Sequence, residues 1–149
     1  MTMFIADLTT ADSLPVLEAT MRFASQRHRL IQHNIANLST PDFRPLDVSV
    51  HAFQRALGDA IDDRRADFAG VRGGLHFPGT SEIPASSEPS RLELRPSETG
   101  HNVLFHDRNT RDLERTMQDL VENTAVFRTA AELYRTRLNL LGQAISERV

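Results

Sequence analysis

The chain has 149 residues, of which 40% are hydrophobic and 6% aromatic, so it can form one modest domain with long buried seams more easily than a thick core. Its formal charge of −3 argues against a surface for nucleic acid or anionic membranes, and the lack of cysteine excludes thiol catalysis, zinc–thiolate sites and disulfides. Residues 1–15 lack a positive region followed by a long apolar run, which predicts no ordinary secretory signal. No apolar run approaches the roughly 20 residues of a membrane helix.

The first predicted element is a helix over about residues 10–38. Asp12 or Ser13 can cap its start, and Pro15 is tolerated in the first turn. Its apolar positions advance by four and three residues in turn, the seven-residue repeat that places side chains on one stripe of a helix. We call this stripe the N-terminal seam: Leu17, Met21, Ala24, His28, Ile31, Ile35 and Leu38. His28 is its polar exception and a candidate pH-sensitive or register-setting residue.

The middle of the chain, residues 42–111, is predicted to be variable and partly disordered. It begins with a short amphipathic helix from His51. The inward-facing residues of this helix are Phe53, Ala56, Leu57, Ala60 and Ile61. Residues 78–100 carry four prolines and many Ser, Glu and Thr residues, so we expect them to be flexible or loosely extended. Within that stretch, residues 92–95 alternate in polarity and are a candidate short strand.

The last predicted element is a helix over about residues 112–147, roughly 50 Å long. Its apolar stripe keeps a strict period of 3.5, which favours a left-handed coiled-coil seam. We call it the C-terminal seam: Leu113, Met117, Leu120, Thr124, Phe127, Ala131, Tyr134, Leu138, Leu141 and Ile145. The predicted fold is therefore mainly α, with two long terminal helices in a coiled-coil-like bundle and a short helix and a flexible Pro/Ser-rich insert between them. Its three parts are residues 1–41, 42–111 and 112–149.

The sequence has no pattern typical of a catalytic or metal site. His28 and His33 are five residues apart, and so are His101 and His106, whereas a helical metal pair needs a spacing of three or four. The carboxylates are dispersed, and no serine or glycine motif matches a hydrolase, a P-loop or a dinucleotide fingerprint. We therefore expect no enzyme, no cofactor or metal, and no nucleic-acid or small-molecule ligand. A small metal-dependent hydrolase, the alternative, would need converging ligands that the pattern does not contain.

The segment RHRLIQHNIANLSTPDFRP, residues 27–45, resembles the N-terminal signature of the bacterial flagellar rod and hook proteins. In that family a helix ends in N-I-A-N and is followed by T-P-G-Y or a close variant. The matching residues are called here the assembly motif: Asn34, Ile35, Ala36, Asn37, Thr40, Pro41 and Phe43. Phe43 replaces the usual Tyr, and Asp47 matches an acidic residue that the smaller rod proteins keep. Asp42 replaces the usual Gly, and Asp can adopt a left-handed conformation at some cost.

The motif also has a physical interpretation. Asn34 and Asn37 lie in the last turns of the helix, where carbonyls lack partners, so their amides can bond the backbone there or a neighbour. Thr40 precedes Pro41 and is therefore pushed toward an extended conformation. Together these residues would fix the direction in which the chain leaves the helix, which a packed tube of repeated subunits requires.

The C-terminal segment, residues 107–145, is similar to the end of one of the small proximal rod proteins of this family. The matching residues are Asn109, Asp112, Leu113, Met117, Glu122, Asn123, Phe127, Ala144 and Ile145. Arg108, Thr110 and Arg111 depart from the family pattern before the last helix. The resemblance covers about the first and the last third of the chain.

This resemblance implies a structural subunit of the flagellar basal body that assembles through its terminal helices into the proximal rod, which transmits torque from the motor to the hook. The implied partners are copies of itself, other rod proteins, adaptor proteins of the membrane ring and export gate, and the flagellar type III export apparatus. The implied location is the periplasmic rod, reached without a cleavable signal peptide. The seams alone leave an alternative open, a soluble coiled-coil adaptor or export chaperone in a closed dimer. An adaptor has no need of the N-I-A-N and T-P motif, which favours the rod subunit.

Overall fold

The computed structural model describes residues 13–68, 74–86, 88–98 and 113–146, and these are mainly α-helical. The helices, in chain order, are α1 (Leu14–Ala36), α2 (Val50–Phe68) and α3 (Leu113–Ser146). Two long helices thus lie toward the two ends with a shorter one between them, which confirms the predicted fold class. None of the helices in these ranges is both long and apolar enough to cross a membrane.

The start of α1 agrees with the predicted first helix. The Ser13 carbonyl accepts a hydrogen bond from the N–H of Leu17 at 3.0 Å, and Pro15 occupies the first turn, where its missing N–H costs no helical bond. The Ser13 side chain makes no capping hydrogen bond, so the backbone alone closes this end. The other predicted cap, Asp12, lies outside the described residues.

A cluster of buried apolar side chains joins α1, α2 and the segment that follows α2. The Phe23 ring of α1 stacks on the Phe53 ring of α2 with centroids 4.0 Å apart, and the Phe77 ring lies 6.4 Å from that of Phe53. The buried members are Ala19, Phe23, Val48, Phe53, Ala56, Ala60, Leu75, Phe77, Ile83 and Leu92. The helix from His51 therefore turns its predicted face inward, with Leu57 and Ile61 at the edge of the cluster.

The segment predicted to be loosely extended differs from that expectation over its described residues. Ile83 and Leu92 are buried in the core, although polar residues surround them in sequence. The side-chain amide of Gln26 holds the backbone here: Nε2 donates to the Leu92 carbonyl at 2.6 Å, and the Leu94 N–H donates to Oε1 at 3.0 Å. The average composition of this segment underestimated its burial. Two apolar side chains, Ile83 and Leu92, and the Gln26 amide are enough to hold the segment on α1.

The candidate strand at residues 92–95 is wrong. The two strands are β1 (Leu46–Asp47) and β2 (Ser97–Glu98), which pair antiparallel with Leu46 opposite Glu98. A 3-10 turn at Pro89–Arg91 precedes residues 92–95. The Leu94 N–H donates to the Gln26 side chain instead of to a second strand. The alternation of apolar and polar residues at 92–95 therefore does not mark a strand.

A tight turn closes the segment between α2 and the 3-10 turn. Phe77 and Ser86 form a single antiparallel bridge, with the Phe77 N–H donating to the Ser86 carbonyl at 2.7 Å. Gly79 within the turn has φ of 86°, and a Cβ there would lie 2.9 Å from the Ala85 backbone nitrogen. Glycine is therefore required at this position for both conformation and space.

The two long helices pack against each other in antiparallel orientation. Asp119 of α3 contacts Arg27 of α1, and four residues later Asn123 contacts Ala24. The α3 number rises as the α1 number falls, which defines the orientation. Within α3 the buried residues are Asn123 and Ala130, so this long helix is attached along a narrow line.

Replacing Phe77 by alanine tests whether the segment after α2 belongs to the core. Phe77 is fully buried, so we expect the Phe77→Ala substitution to lower the free energy of unfolding by about 3 to 5 kcal/mol, measured by urea denaturation. The matched control is Phe127→Ala, which removes the same atoms from a side chain that is 39% exposed and should cost clearly less. Equal losses in the two variants would show that the segment is not packed.

Candidate assembly site

Arg27, near the middle of α1, binds two carboxylates from different elements. Its Nε donates to Asp47 Oδ1 at 2.9 Å and its Nη2 to Asp47 Oδ2 at 2.8 Å, and Nη2 also donates to Asp119 Oδ1 at 3.2 Å. The Arg27 side chain is only 7% exposed. Burial lowers the pKa of Arg27, but its hydrogen bonds and ion pairs with Asp47 and Asp119 outweigh that effect and raise the pKa above its ordinary value. The charge is therefore present over the whole neutral range, and Arg27 joins α1, β1 and α3.

Asn34, the first residue of the assembly motif, binds the returning chain with both ends of its amide. Its Nδ2 donates to the Leu46 carbonyl at 2.8 Å, and the Leu46 N–H donates to Oδ1 at 3.1 Å. The buried side chain thus takes the place of a strand neighbour beside β1. The next residue, Asp47, is held by Arg27 and also accepts the Val48 N–H at 2.8 Å. These contacts fix where the chain meets α1 again after the motif.

Asn37 and Thr40 shape the turn between those points. The Asn37 Nδ2 donates to the His33 carbonyl at 2.9 Å and so satisfies a carbonyl in the last turn of α1. The Thr40 N–H then donates to the Asn37 carbonyl at 2.9 Å, and the Phe43 N–H to the Thr40 carbonyl at 3.3 Å. The Phe43 ring lies against His33 with centroids 5.5 Å apart, so the turn folds back onto the helix that it leaves.

Asp42 adopts the left-handed conformation that the family assigns to glycine. Its φ is 57°, the one positive φ among non-glycine residues in the described part of the chain. Aspartate tolerates this conformation better than most residues, at a cost of about 1 to 2 kcal/mol relative to the usual helical region. Asp42 therefore supplies the left-handed residue of this turn at the position where the family pattern has glycine.

The rest of the assembly motif lies nearer the surface. Ile35 is half-buried, whereas Ala36 and Pro41 are exposed. The motif thus has a buried part, centred on Asn34, that holds the molecule together. Its exposed part, which includes Thr40 and Pro41, presents the turn to the outside.

The N-terminal seam lies between two packed sides of α1. Ala24 and Ile31 are buried and its other five members are half-buried. The most buried large residues of α1 include Phe23 and Arg27, which the seam misses because α1 packs on the core cluster on one side and on α3 on the other. His28 has its hydrogen-bond partner on its own helix, Gln32, with the side-chain nitrogens 3.1 Å apart.

The C-terminal seam is largely left open by the single chain. Its half-buried members are Leu120, Thr124, Ala131, Tyr134 and Leu141. Its exposed members, each 39% to 50% exposed, are Leu113, Met117, Phe127, Leu138 and Ile145. The side of α3 that meets α1 is centred instead on Asn123 and Ala130, roughly 60° around the helix from the middle of the seam. The sequence signal for this docking side is the seven-residue spacing of Asn123 and Ala130. A search for large apolar residues does not detect it, because one of the two is polar and the other is small.

Comparison with known proteins follows the same motifs. No family model matches the chain. Over 106 residues it is 26% identical to the flagellar basal body rod protein FlgB of Borrelia hermsii. The aligned region covers 69% of this chain and 73% of that protein. Over 119 residues it is 28% identical to FlgB of Yersinia enterocolitica. The aligned region covers 75% of this chain and 77% of that protein.

The chain is similar to the flagellar rod protein FlgB. This confirms the resemblance to flagellar rod proteins on which the assembly motif was defined. Residues 107–145 resembled the end of a small proximal rod protein, and both of these relatives are the rod protein FlgB. In the described ranges, no group of three or more His, Asp or Glu side chains could hold a metal ion. The arrangement of the site is suited to fixing backbone direction and helix position.

Neutralising Asp47 tests the importance of the buried ion pair. We expect Asp47→Asn to lower the free energy of unfolding by about 2 to 3 kcal/mol, because it leaves the buried Arg27 with only the weaker Asp119 contact. The loss is below that of a fully buried pair because the Asp47 side chain is 22% exposed.

The matched control for this substitution is Glu98→Gln. Glu98 binds Arg44 at the similar distance of 2.9 Å, but both side chains are more than half exposed, so water screens the pair and no measurable change is expected. If the two variants unfolded at the same urea concentration, the Arg27 pair would not have the structural role described here.

Proposed function

We propose that the chain is a structural subunit of the flagellar basal-body rod. It assembles through α1 and α3 with copies of itself and with other rod proteins. The similarity to FlgB supports this proposal over most of the chain length. The described part of the structure supports it independently, since five apolar residues of the C-terminal seam are 39% to 50% exposed there.

The observation that carries the proposal is the exposed part of the C-terminal seam on α3, called here the open stripe: Leu113, Met117, Phe127, Leu138 and Ile145. With 34 residues α3 is about 51 Å long, against about 35 Å for the 23 residues of α1. Ala24 lies opposite Asn123, so Leu14, ten residues earlier, lies opposite roughly residue 133. The last three turns of α3 therefore extend beyond the start of α1. They carry Leu138 and Ile145 of the C-terminal seam, which are 42% and 50% exposed.

Covering such a stripe removes apolar surface from water, so its presence favours association. The candidate surfaces are the half-buried N-terminal seam on α1 and the exposed part of the C-terminal seam on α3, which are different surfaces. A head-to-tail contact between unlike faces propagates as a helical array when its rotation does not close a ring. This is the geometry of a rod.

The rigid turn after α1 fits the transmission of torque. Asn34 and Arg27 tie the returning chain to α1 through buried hydrogen bonds, so a load on one part passes to the others without bending a free loop. In the cell, the subunit would lie in the periplasmic part of the rod, beside adaptor proteins of the membrane ring and export gate. It would reach that place through the flagellar type III apparatus.

The second candidate function, a soluble coiled-coil adaptor or export chaperone in a closed dimer, would use the same open stripe. The assembly motif argues against it, because a closed dimer of helices gains nothing from a defined turn at Asn34 to Phe43. The similarity to two FlgB proteins argues in the same direction.

A charge placed on the open stripe tests the proposal in the cell. We expect Leu138→Glu to leave the helical content and the urea unfolding midpoint of the isolated chain unchanged, because Leu138 is 42% exposed. In the bacterium that encodes the chain, the variant should fail to restore swimming to a strain that lacks the gene, because the charge would be buried at a subunit contact.

The matched control is Gln143→Glu, which adds the same charge to the same helix at an exposed polar position. It should restore swimming and appear in purified basal bodies. If Leu138→Glu also restored swimming and appeared in basal bodies, the stripe would not be an assembly surface.

A further inference from the structure

The apolar pattern of α3 does not by itself select one position along α1. Beside the line on which α3 meets α1, Leu120, Phe127, Tyr134 and Leu141 follow one another at seven-residue spacing, so a shift of α3 by one heptad again places a large apolar or aromatic side chain at these points. The contact line itself includes Ala24 and Ala130, small residues that allow the helices to slide. Something else must choose the observed register.

Two polar contacts distinguish that register from its neighbours. Asn123, 5% exposed, donates from Nδ2 to the Ala24 carbonyl at 2.8 Å. One turn earlier on α3, Asp119 accepts from Arg27 at 3.2 Å. Residues four apart on one helix and three apart on the other lie on facing sides, so both contacts form together or not at all.

A shift by one heptad loses the amide hydrogen bond of Asn123 in either direction. In one direction Val126 would take the place of Asp119 and Ala130 that of Asn123, and neither side chain can form a hydrogen bond. In the other direction Thr116 would take the place of Asn123, with a hydroxyl on a shorter side chain. Asp112, which lies outside the described residues, would take the place of Asp119.

We propose that Asn123, together with the Asp119–Arg27 pair, sets the register of α3 on α1. A buried amide in a helix–helix contact is less favourable than an apolar side chain of the same size, but it selects the one register in which its hydrogen bond can form. Asn123 thus sets the register, a role for which the sequence pattern had made His28 a candidate. His28 instead contacts Gln32 on its own helix. The inference concerns packing within one chain, and it holds whether or not the chain is a rod subunit.

The absence of cysteine makes the register directly measurable. A variant with Arg29→Cys and Gln143→Cys accepts spin labels at those two exposed positions alone. In the observed register Arg29 lies opposite about residue 118, so the labels are separated by roughly 38 Å along the helix axis. A shift of one heptad changes that separation by about 10 Å. Pulsed electron paramagnetic resonance on labelled chain diluted with unlabelled chain reads this distance within single molecules.

We expect one narrow distance when Asn123 is present. Adding Asn123→Leu should produce a second population displaced by about 10 Å, while the urea midpoint stays the same or rises. The control Asn139→Leu makes the same substitution at an exposed position of α3 and should keep the single distance.

Three results would overturn the proposal. One is an unchanged single distance in the Asn123→Leu variant. Another is the appearance of the second population in the Asn139→Leu control as well. The last is a lower urea midpoint or a loss of helix in Asn123→Leu, whatever its distances, because Asn123 would then stabilise the fold instead of selecting the register.

Discussion

The structure depends on a buried cation in the middle of its first helix. Arg27 is nearly inaccessible to water, and a guanidinium in such a place must be paired, because an isolated buried charge is too costly. Its partners come from the strand after the turn and from the last helix, 20 and 92 residues away in sequence. Satisfying this one group therefore positions three elements at once. The amides of Gln26 and Asn34, on either side of it, bind two more stretches of backbone to the same helix.

The sequence predicted the features that depend on local periodicity. The long helices and the inward face of α2 follow from spacing alone, and the turn after α1 follows from the spacing of Asn34, Asn37 and Pro41 together with the family resemblance. Periodicity could not reveal the partners of Gln26 and Arg27. A polar residue on an amphipathic helix is usually solvated, and only the folded chain brings a distant carboxylate or carbonyl beside it.

Sequence pattern does not identify contact partners, and this also explains why the structure differs from expectation at residues 78–100 and on α3. Composition averaged over residues 78–100 hid Ile83 and Leu92, which fill the core individually. On α3 the apolar stripe is real, but an apolar pattern cannot say which molecule will cover it. The single chain uses the side marked by Asn123 and Ala130, and leaves much of the predicted seam exposed.

These observations describe a subunit whose two halves have different tasks. Buried polar contacts around α1 join three elements of the described chain, and α3 carries apolar seam residues that are 39% to 50% exposed. With the similarity to FlgB, this division supports the proposal of a rod subunit and opposes a self-contained dimer. The polar line on α3 fixes where the helix lies, so each copy would offer its open stripe in the same position.

Sedimentation velocity of the purified chain over a wide concentration range, with circular dichroism on the same samples, tests this account most directly. We expect a mainly monomeric species at low concentration. The sedimentation coefficient should then rise with concentration without reaching a plateau, because a head-to-tail contact that does not close adds further copies. A stable, fully helical dimer that keeps one sedimentation coefficient at every concentration would contradict the account and favour the closed adaptor.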